Sequence, residues 1–179
     1  LLWDMADYFE ILSRTLLAER TEKAGFYQQV VRAALMMYSM NRFVTHCGMI
    51  QEVGHSTRGL CAGCGFVCTF IQVYTLAALD YAAHVLAQTA PYSLCLYVDD
   101  IAYQVTADTP QKVCEAMIEA VGILKQVVTC ELDAQIAEHK AQIIGSTDDI
   151  TARLGRCLGK HAGITTKKMA VTHLGFDFT

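Results

Sequence analysis

The feature that most constrains this chain is an apolar run cut once by two acids. Residues 92–98 (YSLCLYV) are uninterrupted apolar sequence of strand length, Asp99-Asp100 breaks the run, and residues 101–105 resume it. Strand, short polar break and strand predict a β-hairpin with the acids at its tip. Asp is a favoured turn residue, so a solvated turn satisfies that pattern. Asp4 adds a third acid at the end of another apolar stretch, residues 1–5. If the two strands are neighbours, Asp4 and Asp99 come within a few Å and form an oxygen-rich cage for a hard cation. Mg²⁺ takes oxygen ligands and keeps positions for water and substrate phosphates. Two such ions ~4 Å apart clamp the attacking and leaving oxygens of an in-line phosphoryl displacement.

The rest of the pattern predicts α+β. Ile11, Leu12 and Leu16 give helical spacing over residues 10–24, with Gly25 to end it, and Val30, Val31, Ala34, Leu35 and Tyr38 share one face of a helix over 27–40. Residues 42–50 carry strand-like sequence around Cys47-Gly48, and 51–65 read as a glycine-rich loop. A long apolar helix is expected over 67–88. Asp108-Thr109-Pro110 is a helix start, with a cap residue before a first-turn proline. That helix, 110–128, shows Val113, Ala116, Met117, Ala120, Val121, Leu124, Val127 and Val128 on one stripe. A strand over 140–144, a capped helix over 146–158 stopped by Gly159, and a strand pair over 170–178 complete the order. It reads as a single domain over 1–179, an elaborated split-βαβ antiparallel sheet with helices on one face.

Composition narrows the class. With 53% hydrophobic and 18% charged residues, the chain has material for a buried core and lacks the signature of disorder. A net charge of −4 excludes a simple cationic nucleic-acid sleeve, but not a metal-dependent enzyme whose clustered acids lower the count. Gln72, Asp80 and His84 interrupt the most apolar stretch, and a charge at a bilayer centre costs roughly 2.5–3.5 kcal/mol. A buried helix is therefore expected, with no membrane partner. No basic leader precedes the opening LLWDMADYFE, and the eight cysteines read as reduced thiols. An intracellular protein is expected, nuclear or cytoplasmic.

The segment LCLYVDDIAYQV resembles the YxDD hairpin of reverse transcriptases, and the resemblance extends in order along nearly the whole chain. The stretch 4–10, an Asp followed five residues later by an aromatic, is similar to the family's first catalytic motif. The stretch STRGLCAGCG, residues 56–65, is similar to its RGxxQGxPLSP segment. Lys140 matches its downstream lysine, and His173-Leu174-Gly175 resembles the YLG that opens the primer-grip hairpin. The resemblance implies a polymerase palm, closest in style to non-LTR retrotransposon and group II intron enzymes. It implies two Mg²⁺ or Mn²⁺ ions held by Asp4 and Asp99, with Asp100 the third acid, and Lys140 as general acid to pyrophosphate. Asp7, Tyr8, Phe9, Arg58, Gly59, Gly63 and Tyr97 would stand near the nucleotide, Phe9 under its sugar to exclude a 2′-hydroxyl. Implied partners are an RNA template, a DNA primer and deoxynucleoside triphosphates. The parent's fingers and thumb would be largely missing, so the isolated chain is expected to be inactive.

Departures are visible: Ala62 stands where the family has glutamine, Gly65 where it has proline, Glu10 where it has aspartate and His173 where it has tyrosine. Ala62, Gly65 and the missing fingers and thumb favour an alternative, a degenerate palm that keeps the fold and weak nucleic-acid binding, whereas Asp4, Asp99, Asp100 and Phe9 favour a working site. A further rival is a zinc or redox module built from His46, Cys47, His55, Cys61, Cys64 and Cys68, since thiolates and imidazoles suit Zn²⁺ and CxxC suits disulfide chemistry.

Overall fold

A computed structural model describes residues 1–158, 166–167, 171–173 and 176–178. Its contacts divide the chain into two compact units, Leu1–Ala6 with Ala77–Thr179, and Asp7–Leu76. The helix Val67–Leu86 (α4) has residues in both.

The first unit is organised around one strand, β1 (Leu2–Ala6). It pairs antiparallel with β5 (Asp100–Val105), in register Leu2↔Ala102, Trp3↔Ile101, Asp4↔Asp100. It also pairs antiparallel with two short strands, β6 (Gln135–Ile136) and β7 (Gln142–Ile143). β4 (Tyr92–Tyr97) forms the predicted hairpin with β5 and lies at the sheet edge; at the other end β7 pairs parallel with β8 (Thr166–Lys167). The sheet is therefore antiparallel save for one short parallel pairing. Alternation explains it: Trp3, Met5, Ile101 and Tyr103 are buried, while Asp4, Asp100 and Ala102, on the alternate positions, are not.

The run 92–98 was expected to be wholly apolar strand, but along β4 Ser93, Cys95 and Tyr97 are exposed. An antiparallel strand with one covered face needs apolar residues on alternate positions only. The strand ends at Tyr97, and Asp100 belongs to β5 rather than to the tip.

On this sheet sits α5 (Pro110–Gln126), which contacts β5 and the helix α6 (Asp148–Leu158). Thr109 caps α5, its side chain accepting from Lys112 N, and Cys114, Ala116, Met117, Ala120, Val121 and Leu124 form its buried stripe. A π-helical turn, Val127–Glu131, continues it and keeps Val127 and Val128 buried. The Tyr92 hydroxyl donates to the Ala83 carbonyl at 2.7 Å, joining the last turns of α4 to β4. Near the end of the chain, β9 (Val171–His173) and β10 (Phe176–Phe178) pair antiparallel as predicted. The stop at Gly159, and Leu174 and Gly175 of the expected primer grip, lie outside the described residues; His173 pairs with Phe176.

In the second unit, the helix expected over 10–24 is two: α1 (Tyr8–Ile11) and α2 (Arg14–Lys23). Leu12 is extended (φ −54°, ψ 132°), and Ser13 restarts the helix by accepting from Leu16 N at 3.2 Å. A serine that caps locally outcompetes continuation of the helix. Gly25, at φ +69°, follows the end of α2, and α3 covers Gln28–Tyr38. Residues 51–65 were expected to be loop, yet β2 (Arg42–His46) and β3 (Met49–Gly54) form a hairpin. Its turn residues, Cys47 and Gly48, both have positive φ, as a two-residue hairpin turn favours. Nearly every residue of both strands is exposed, so no alternation of burial marked β3 in the sequence. Among the described residues no helix is long and apolar enough to cross a membrane.

Tyr92→Phe deletes one hydrogen bond and little volume. It is expected to lower stability by about 1 kcal/mol, read as a shift in the denaturation midpoint at unchanged slope.

Candidate functional site

The acids predicted to act together lie on two neighbouring strands of the first unit and the turn that precedes one of them. β1–β5 pairing places Asp4 opposite Asp100, and the Met5 amide donates to the Asp99 carbonyl at 3.0 Å. Two segments remote in sequence thus deliver three carboxylates to one end of the sheet. All three are partly buried.

The turn that presents Asp99 is strained. Tyr97 pairs with Asp100, so Val98 and Asp99 are the two turn residues, and Val98 has φ +60°. Of these two only Val98 is left-handed, which matches the mirror-image turn with φ > 0 at its first central position. A β-branched residue there is an outlier costing about 1–3 kcal/mol. Glycine would fit without strain.

The electrostatics follow from crowding. Burial holds the Asp99 carboxyl above the usual carboxylate range, and the Asp4 charge pushes it the same way, against its own backbone amide and Lys140. Lys140 answers the crowding. Its Nζ is hydrogen-bonded to Asp4 Oδ2, and that bond, with the charges of Asp4, Asp99 and Asp100, holds its pKa above the ordinary lysine value. Lys140 was expected to open a strand; it ends instead a 3₁₀ turn, Glu138–Lys140, just before β7. Its amide donates to the Ala137 carbonyl, and the Ala137 amide donates to the Asp4 carbonyl at 2.8 Å. Two backbone links therefore fix this lysine beside that acid.

The donor set is hard carboxylate oxygen, and Asp4 already holds a cationic group, so the residues fit a divalent ion of the magnesium class. Among the described residues no three His, Cys, Asp or Glu converge closely enough to hold an ion alone. Mg²⁺ is commonly bound through one or two carboxylates, with water and substrate phosphates completing the shell.

Of the other predicted residues, Asp7, Tyr8, Phe9, Arg58, Gly59 and Gly63 lie in the second unit. Asp7, exposed and left-handed at φ 47°, starts α1, its carbonyl accepting from Glu10 N and Ile11 N. Tyr8 is buried and Phe9 half-buried. Gly59 is pinned: its N–H donates to Leu12 O at 2.8 Å and the next amide, Leu60, to Phe9 O at 2.6 Å. A Cβ on Gly59 would stand 2.5 Å from Glu10 O and 2.7 Å from Phe9 O, at a backbone φ of +79°. The two motifs are thus locked to each other through a position only glycine occupies without strain. Gly63 also has a positive φ, +87°, but in open space. Tyr97, in the first unit, is 62% exposed beside the acidic turn.

Arg14 is the residue that the sequence reading missed. Its Nε donates to Gly59 O at 2.8 Å, and its terminal nitrogens donate to Ser56 O at 2.6 Å and Arg58 O at 2.9 Å. Arg58 answers by donating its Nε to Ile11 O at 2.7 Å. Both guanidinium groups therefore hold the second-motif loop against α1 and α2, a scaffolding role alongside the nucleotide contact expected of Arg58. The available signal was an arginine in the first turn of a helix, where the macrodipole disfavours a cation.

The zinc rival needs His46, Cys47, His55, Cys61, Cys64 and Cys68 to meet, and no three of them form such a group. No family model and no curated protein matches this chain.

Gly59→Ala is expected to destabilise the second unit by 2 kcal/mol or more, by roughly the sum of a left-handed Cβ and a backbone clash. Urea titration followed by far-UV dichroism reads it. Val98→Gly should act oppositely, stabilising by about 1 kcal/mol after the unfolded-state entropy of glycine is subtracted. An unchanged midpoint would mean that Val98 is not strained.

Proposed function

We propose that this chain is the palm of an RNA-directed DNA polymerase, joining deoxynucleotides to a primer 3′-hydroxyl with Asp4 and Asp99 as its principal metal ligands. The observation that carries the reading is the β1–β5 register. It brings an acid from the first motif against the acidic pair of the hairpin, which the resemblance requires and a solvated turn does not. The antiparallel sheet with α5 across it supports a palm-like split βαβ arrangement.

In this reading Asp4 and Asp99 would hold two divalent ions, and Asp100 would add negative potential beside them. The ions supply charge neutralisation of the triphosphate and of the attacking oxygen. Asp99 sits on a strained two-residue turn, so its carboxylate is aimed by backbone geometry rather than by a flexible arm. Lys140, like any lysine, is protonated at neutral pH, the state that a general acid at Nζ needs when pyrophosphate departs, and its acidic neighbours hold that proton more tightly still. It must first leave Asp4, which it now neutralises. By the resemblance Phe9 would select against a 2′-hydroxyl, and the Arg14–Gly59 clamp fixes the loop that carries Arg58.

The test combines metal binding with synthesis. Mn²⁺ titration of the purified chain should show binding that Asp99→Asn abolishes, whereas Lys140→Met should tighten it about two- to five-fold, the worth of an exposed ion pair. Extension of a primed RNA template by the full-length parent protein should fall at least about 100-fold with Asp99→Asn. Metal binding without extension would mark a degenerate palm that keeps the fold. Equal Mn²⁺ affinity in wild type and Asp99→Asn would overturn the reading.

A further inference from the structure

The loop between β3 and α4 carries Cys61-Ala62-Gly63-Cys64, which the polymerase reading leaves unused. The Cys64 amide donates to the Cys61 carbonyl at 3.1 Å, closing a four-residue turn whose third residue, Gly63, has φ +87°. That is the turn type which calls for glycine at this place, and a β-turn keeps its first and fourth Cα atoms within about 7 Å. The upper limit for a disulfide is about the same. The turn is held at both ends, by Leu60 N on Phe9 O at 2.6 Å and by Val67 N on Cys64 O at 3.0 Å. Cys61 is exposed and Cys64 half-buried, so a small oxidant reaches both.

Cys64 also lies beside a buried hydroxyl. Tyr38, at the end of α3, is buried, and its hydroxyl has no partner at full hydrogen-bonding geometry. Burial first, then the adjacent Cys64 thiol and then Cys61, push its pKa up. Cys68, in the first turn of α4, is exposed, but among the described residues no third ligand joins any of these cysteines in a metal-holding group. The arrangement suits two-thiol chemistry.

We propose that Cys61 and Cys64 form a reversible dithiol–disulfide pair, oxidised by exchange with a low-molecular-weight disulfide. The Cys61 thiolate attacks one sulfur of that disulfide; the old S–S bond breaks, a small thiolate leaves, and a mixed disulfide forms on Cys61. The Cys64 thiolate then attacks the Cys61 sulfur and expels the second small thiolate. Two protein thiols are oxidised, one small disulfide is reduced to two thiols, and the two protons pass from the cysteines to the departing thiolates. The product cross-links the turn that follows Arg58 and Gly59, stiffening the loop they belong to. This inference stands apart from the polymerase reading and does not depend on it.

The experiment equilibrates the native chain in oxidised and reduced glutathione over a range of ratios, then blocks free thiols and maps peptides by mass. The expected result is a single two-electron transition giving a Cys61–Cys64 cross-link, slower hydrogen exchange at the Cys64 amide in the oxidised form, and a stable glutathione adduct on Cys61 in Cys64→Ser. Independent glutathione adducts on both cysteines of the wild-type chain would overturn it. So would a Cys64–Cys68 link, or exchange at Cys64 that is unchanged by oxidation.

Discussion

Three acids stand at one end of the first unit's sheet, and the partial burial of Asp99, more than repulsion from Asp4, is the constraint that their surroundings answer. The β1–β5 pairing that buries Trp3 and Ile101 also sets Asp4 against Asp100, because opposed residues of an antiparallel pair share a face. The core therefore cannot be formed in this register without crowding the acids. Burial keeps the Asp99 carboxyl above its ordinary 3.8, so folding favours proton uptake there. That contribution to stability is present below the unfolded value and is lost as pH rises through the folded one. Near neutrality the site is a liability that a cation relieves, and Lys140 is the cation that the chain itself supplies.

The counter-ion is built by backbone, not by chance proximity. Asp4 accepts from Ala137 through its carbonyl, Ala137 accepts from Lys140, and the 3₁₀ turn between them returns the lysine to the acid whose strand it hangs from. A lysine held in that way competes with any ion for Asp4. An exposed pair of this kind contributes little to stability, within about 1 kcal/mol, so its displacement is cheap. A cation that binds Asp4 more strongly than the lysine does can therefore take its place at little cost to the fold.

The sequence made the hairpin legible because its signal is local: two apolar runs and a polar break. It also pointed to the acidic partner, since Asp4 stands in an apolar stretch of the same kind, although it lies inside β1 rather than at its end. It did not reveal that Asp100 is a strand residue, because turn length depends on Val98 taking a backbone conformation that valine ordinarily avoids. Nor did it disclose β3, exposed almost throughout, or the Ser13 restart, where one hydroxyl decides between one helix and two. The Arg14 clamp was illegible for a different reason. Its partners are backbone carbonyls of residues 56, 58 and 59, and a carbonyl leaves no trace in residue identity.

That clamp bears on how the motif glycine should be understood. Gly59 is needed for its missing side chain, since the carbonyls of Phe9 and Glu10 occupy the space where a Cβ would stand. The first motif thereby dictates the residue type in the second, through contact rather than chemistry. Gly63 also needs its left-handed backbone but has no such neighbour, so a Cβ there would meet only open space. Two glycines four residues apart thus answer different constraints: one joins two parts of the unit, while the other shapes the turn that brings Cys61 and Cys64 together.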